Sequence, residues 1–151
     1  MTELDELYQE LIMDHNRNPR NFGKLQNPNR EADGHNPFCG DTITLHLKLD
    51  ESRVIEVGFQ SAGCAISKAS ASMMTEAIKD KPENEINKIF DTFHKMLTNN
   101  SNDSLDSNDE LGDLAVMSGV SQFPTRVKCA TLSWHALMAA LSDDKETVKT
   151  E

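Results

Sequence analysis

The sequence predicts an α+β fold, and three observations carry the prediction. Two strictly alternating apolar stretches stand side by side, separated only by a polar turn, which is the pattern of a β-hairpin. Helical apolar spacing runs on both sides of that hairpin. The chain has 151 residues, 37% of them hydrophobic, and a chain of that length can bury roughly 70% of its unfolded surface in one core. Residues 1–151 are therefore expected to form a single domain.

The elements follow in order. Leu4, Leu7, Tyr8, Leu11 and Ile12 stand at helical spacing within residues 2–16, and Thr2 with Asp5 resembles a capping box. Residues 16–36 are polar and interrupted by Pro19, Gly23, Pro28 and Gly34, a composition that predicts a long connector. From Thr42 to Leu49, Ile43, Leu45, Leu47 and Leu49 alternate with Thr44, His46 and Lys48, as in a half-buried strand. Asp50, Glu51 and Ser52 supply a turn, and Ile55, Val57 and Phe59 begin the return strand. Residues 65–79 lack Pro and Gly and are rich in Ala and Met, which predicts a helix with Cys64 at its start.

A second helix is expected through the stripe Ile86, Ile89, Phe90, Phe93 and Leu97. It opens an acidic insertion, about residues 80–113, in which nine acids face three lysines. The later part of that insertion reads as an exposed loop, since acid runs are usually solvated surface; docking or metal collection is the alternative. Leu114–Val120 predicts one or two helical turns. A last helix follows Pro124, with Cys129 in its first two turns, and residues 142–151 form a polar tail.

The formal net charge is −10, an acid excess that argues against nucleic acid or an anionic membrane, because affinity for either comes mainly from Lys and Arg. A mean hydropathy of −0.55 and no apolar run near the ~20 residues of a membrane span point to a cytoplasmic protein. The acidic, amphipathic start does not read as a signal peptide.

The three cysteines, at 39, 64 and 129, are an odd, widely spaced set that fits poorly with disulfides. A single free cysteine is most often an inert core residue. Here each lies at the edge of a predicted element. Two sit at helix starts, where the free N–H groups and the dipole favour thiolates. Cys39 and Asp41 flank Gly40, which lets the backbone bend enough for both to close on one ion. Three thiolates and a carboxylate suit tetrahedral zinc, or an iron–sulfur cluster with one labile, harder ligand. His35, four residues before Cys39, is the histidine kept as an alternative ligand; His15, His46 and His94 read as surface residues, and His135 points away from Cys129. A Cys–His hydrolase is poorly supported, because nothing orients a base toward a cysteine.

Cys39-Gly40-Asp41, Gly63-Cys64-Ala65 and Arg126-Val127-Lys128-Cys129 together resemble the U-type iron–sulfur assembly proteins (IscU/NifU-like), and within them the SufU branch. The similarity runs from LYQELIMDHNRNPRNFG to CATLSWHAL. It implies a small, mainly antiparallel three-stranded sheet packed against several helices. It also implies a zinc site of Cys39, Asp41, Cys64 and Cys129, and sulfur transfer from a SufS-type cysteine desulfurase toward a SufB-containing complex or apo iron–sulfur proteins. The alternative it carries is a scaffold on which iron or a transient [2Fe–2S] cluster is held and passed on. Lys128 stands where IscU-type members have His, and the acidic stretch looks like the SufU insertion; both favour the sulfurtransferase. Cys39 is then the expected sulfur acceptor with Asp41 tuning the site, and Arg126 and Lys128 are candidates to contact the desulfurase or a persulfide anion. By this reading the protein works as a sulfur carrier beside the desulfurase rather than as an enzyme alone.

Overall fold

The computed structural model describes residues 3–37, 40–98, 114, 117, 119–120, 123–142 and 148–149. Its elements are α1 (Glu3–Arg17), β1 (Arg30–Asn36), β2 (Asp41–Asp50), β3 (Arg53–Ala62), α2 (Ala65–Ile78), α3 (Glu83–Thr98), α4 (Pro124–Leu141) and β4 (Val148–Lys149). The sheet order is β3-β2-β1-β4, and the first three strands are antiparallel neighbours. The α+β class agrees with the sequence, and the three antiparallel strands agree with what the family resemblance implies, β4 adding a fourth at the edge.

The hairpin forms because β2 and β3 place Leu45 opposite Phe59 and Leu47 opposite Val57, four buried side chains on one face. Its loop is the two residues Glu51 and Ser52, both at positive φ (51° and 67°). That is the twist a two-residue hairpin connection needs. α2 packs between α1 and α4, which explains why its small residues Ala69, Ser70, Ala71 and Ser72 are all buried rather than only one stripe. α4 lies across β1 and β2. α3 joins it through Phe93, stacked on Trp134 at 4.9 Å.

The bounds expected for two segments are corrected. The connector reaches only to residue 29, since 30–36 form β1, paired along its length from Arg30↔Leu47 to Asn36↔Asp41. Its inward residues, Ala32, Gly34 and Asn36, give no apolar alternation because α4 comes too near: a Cβ on Gly34 would stand 3.0 Å from Leu132 Cδ1 and from Ile43 Cγ2. The polar tail also contributes to the sheet, with β4 pairing parallel to β1 at Gly34↔Val148 and His35↔Lys149.

His15 and His46 are buried rather than on the surface. His15 faces α2, with Nδ1 2.8 Å from Ser72 Oγ. His46 is covered by the connector, and its Nδ1 accepts the Leu25 N–H at 3.4 Å. Leu114, Met117 and Val120 are buried, consistent with the apolar segment expected there. The loop expected in the later part of the acidic insertion falls outside the described residues.

Candidate metal centre

The end of the sheet nearest the starts of α2 and α4 carries the polar cluster. β1 ends at Asn36 and β2 begins at Asp41, directly opposite one another in register. Both side chains are buried on the face that holds Gly34 and Ile43. A hydrogen bond from Gly40 N–H to Asn36 O at 2.9 Å closes the turn between the strands, with Gly40 at φ +71°. Beyond β3 the chain turns at Gly63 and enters α2 with Cys64 as its N-cap. Cys129 lies in the second turn of α4, fully buried. α2 and α4 are tied together beside Cys129, where Ser70 Oγ, in the second turn of α2, donates to the Ala130 carbonyl at 2.6 Å.

These elements bring three ligands of two types, a carboxylate and two thiols, to one point. The carboxylate oxygen of Asp41 and the sulfurs of Cys64 and Cys129 all lie within 4.8 Å of one another. Asp41 Oδ1 accepts the Cys64 backbone N–H at 2.7 Å, a charge-assisted bond at the positive end of α2. Its other oxygen, Oδ2, is 3.8 Å from Cys64 Sγ. Asn36 Nδ2 lies 3.5 Å from Asp41 Oδ2 and 3.5 Å from Cys129 Sγ.

This donor set fits zinc. Two thiols and a carboxylate match its borderline-soft preference, and with Zn–S near ~2.3 Å and Zn–O near ~2.0 Å the sulfur–oxygen edge of a tetrahedron is about 3.5 Å. The Asp41–Cys64 separation of 3.8 Å is close to that edge. Room for the carboxylate depends on Gly63, at φ +128°, where an added Cβ would stand 2.1 Å from Asp41 Oδ1. Only glycine fits there on both counts.

Asp41, Cys64 and Cys129, all predicted from the sequence, are thus brought together. Cys39 lies outside the described residues. His35, half-buried, neighbours Asn36 on β1 and so points to the other face of the sheet; it is not in the cluster. Arg126 is exposed in the first turn of α4, and Lys128 is half-buried beside Cys129. Sequence reasoning missed Asn36. The signal was the small-residue alternation Ala32, Gly34, Asn36, which marks an inward face once 30–36 is read as a strand.

A small antiparallel sheet under helices, with a thiol–carboxylate centre at its end, defines a class: the chain belongs to the NifU-like N-terminal domain family, whose model matches residues 7–130. Within that family the similarity extends to a protein of Bacillus subtilis (strain 168) named zinc-dependent sulfurtransferase SufU. The two are 47% identical over 143 residues, which cover 94% of each chain. The iron–sulfur cluster assembly scaffold protein IscU of Streptococcus pyogenes serotype M1 is 37% identical over 93% of this chain and 86% of that one. The fold also matches a crystal structure from Fervidobacterium islandicum AW-1, described as an iron–sulfur cluster assembly scaffold protein for the SUF system. Its TM-score is 0.80 at 32% identity, covering 90% of this chain and 97% of that one. The SufU-type resemblance read from the three cysteine motifs therefore holds.

Among the described residues no helix is long and apolar enough to cross a membrane.

Proposed function

We propose that the protein is a zinc-dependent sulfurtransferase of iron–sulfur cluster assembly. The observation that carries this reading is the convergence of Asp41, Cys64 and Cys129 within 4.8 Å, in a chain 47% identical to a zinc-dependent sulfurtransferase. Cys39 completes the ligand set: it stands two residues from Asp41 and three from Asn36, both part of the cluster, a span the backbone covers easily at ~3.5 Å per residue. Bound zinc would supply positive charge that keeps the thiols deprotonated.

The donor is a SufS-type cysteine desulfurase carrying a persulfide, and the site of action is the cytoplasm. The Cys39 thiolate attacks the outer sulfur of that persulfide. A new S–S bond forms on Cys39, the desulfurase S–S bond breaks, and the desulfurase cysteine leaves as a thiolate, with no net oxidation or reduction. Asp41, held by the Cys64 N–H, keeps its place in the site while Cys39 acts. Arg126 and Lys128 offer cationic contacts to the desulfurase or to the persulfide anion. A SufB-containing complex, or apo iron–sulfur proteins, receives the sulfur.

The test is transfer of labelled sulfur from a purified desulfurase. Wild type, with one zinc per chain, is expected to take up the label, and Cys39→Ser to lose it. A Cys39→Ser protein that accepts sulfur normally overturns the assignment. Similarity to the Streptococcus scaffold supports the alternative, a [2Fe–2S] scaffold. Anaerobic reconstitution separates the two: a cluster that forms and moves intact to an apo-protein favours the scaffold, and retained zinc with no iron favours the sulfurtransferase.

A further inference from the structure

Asn36 is a fully buried polar residue that is neither a metal donor in the three-residue cluster nor part of the hydrophobic core. Its amide nitrogen is 3.5 Å from Asp41 Oδ2 and 3.5 Å from Cys129 Sγ. A side-chain amide carries two N–H donors, so one can go to each partner.

The consequence for Asp41 is fixation at both oxygens. Oδ1 is anchored by the Cys64 N–H at 2.7 Å and Oδ2 faces the Asn36 amide, which leaves the carboxylate little freedom to turn. For Cys129 the same amide supplies a donor to the sulfur inside a buried site, where a hydrogen bond is electrostatically stronger than in water and restrains where the sulfur sits. Asn36 also joins the two halves of the centre, because Asp41 is linked to Cys64 whereas Cys129 arrives on a different helix.

We infer that Asn36 is a positioning residue of the metal centre: its amide holds Asp41 and Cys129 in the ligating arrangement and sets how slowly the metal leaves. The inference rests on the zinc-site reading above. Groups that hold first ligands by hydrogen bonds typically change metal affinity by about 10- to 100-fold when removed.

The experiment compares Asn36→Ala and Asn36→Leu with wild type, each loaded with zinc, and times zinc release to a colorimetric chelator. Both variants are expected to release zinc about 10- to 100-fold faster, since Leu refills the space without a donor. If Leu restores wild-type release where Ala does not, Asn36 only fills space and the inference is overturned. Unchanged release in both, beside a zinc-loaded wild type, overturns it alone. A wild type that holds no zinc overturns the metal reading and this inference with it. Should neither variant fold, the wild type decides: loaded with cadmium-113, it is expected to show scalar coupling between the metal and the Asn36 amide protons through the sulfur, and a bound metal without that coupling overturns the inference.

Discussion

Helix α2 has a polar cluster at each of two places, and the two are built in opposite ways. At its N-terminus the groups converge with their donor atoms facing one another: Asp41 Oδ2 is 3.8 Å from Cys64 Sγ, and the Asn36 amide is 3.5 Å from both its partners. Farther along, the contacts with α1 and the connector are short. Ser72 Oγ accepts the Arg20 backbone N–H at 2.8 Å and lies 2.8 Å from His15 Nδ1. Asn21 Nδ2 donates to Thr75 Oγ1 at 3.0 Å, and Thr75 Oγ1 donates to the Ser72 carbonyl at 2.7 Å. Around the helix, Arg20 pairs with Asp14 at 2.7 Å. The second cluster spends its polar groups on one another and so fastens α1 to the body. In the first, acceptors outnumber donors and gather round one point, as suits a cation. Burial of polar groups therefore does not mark function; the direction of their lone pairs does.

The largest expected effect tests the first cluster. Gly63→Ala places a methyl 2.1 Å from Asp41 Oδ1 and 2.8 Å from Asp41 Cα, at a φ of +128°. Backbone strain and forced displacement together should cost roughly 2–6 kcal/mol. Zinc stoichiometry should fall with stability, because the displaced group is the carboxylate itself. Denaturant unfolding and metal analysis check this; a variant that keeps both full stability and one zinc would mean Asp41 is not held where the geometry puts it.

A smaller effect is expected at the second cluster. Ser72→Ala removes the acceptor of the Arg20 N–H and the partner of His15 Nδ1, leaving polar groups with a lost bond at a cost of about 1–3 kcal/mol. Zinc content should stay at the wild-type value, because Ser72 lies about two turns along α2 from Cys64. The contrast between the regions breaks if Ser72→Ala loses metal as readily as Gly63→Ala.

The parts legible in the sequence were those with a strong period or a distinctive residue type. The alternation through Ile43, Leu45 and Leu47 gave β2, the Ala/Met run gave α2 to within a residue, and the stripe through Ile86 and Phe93 gave α3. Cys64, Cys129 and Asp41 stood out by chemistry. β1 escaped because its inward positions must be small under Leu132, so the residues that prove it a strand are Ala32, Gly34 and Asn36, which look like loop residues in isolation. β4 escaped because two residues carry no period, and Asn36 escaped with β1. His15 and His46 were misplaced for different reasons. His46 is buried by the connector at Leu25, a contact of which the alternation of β2 holds no trace, whereas His15 stands four residues after Leu11 and three after Ile12 and so continues the apolar stripe of α1 toward Ser72; there the residue type was weighed above the period.

The smallest expected effect lies away from both clusters, where α3 meets α4. His135 is edge-on to Phe90 at 5.8 Å and to His94 at 6.1 Å. Burial first, and the charge of His94 second, hold its pKa below the usual histidine value. The fold therefore prefers neutral His135, and the unfolded chain binds its proton more readily. That contribution to stability is complete above the ordinary histidine pKa of about 6.5 and is lost as pH falls through the lower folded value. Thermal melts of wild type and His135→Gln between about pH 7.5 and about pH 5 should show the wild type losing stability more steeply on the acid side. His94→Gln should soften the wild-type slope by removing the second cause. Parallel pH profiles for wild type and His135→Gln would show that another group titrates in this range. His135 lies nearly two turns along α4 from Cys129 and belongs to the α3–α4 packing, so zinc content at about pH 7.5 should be the same in wild type, His135→Gln and His94→Gln.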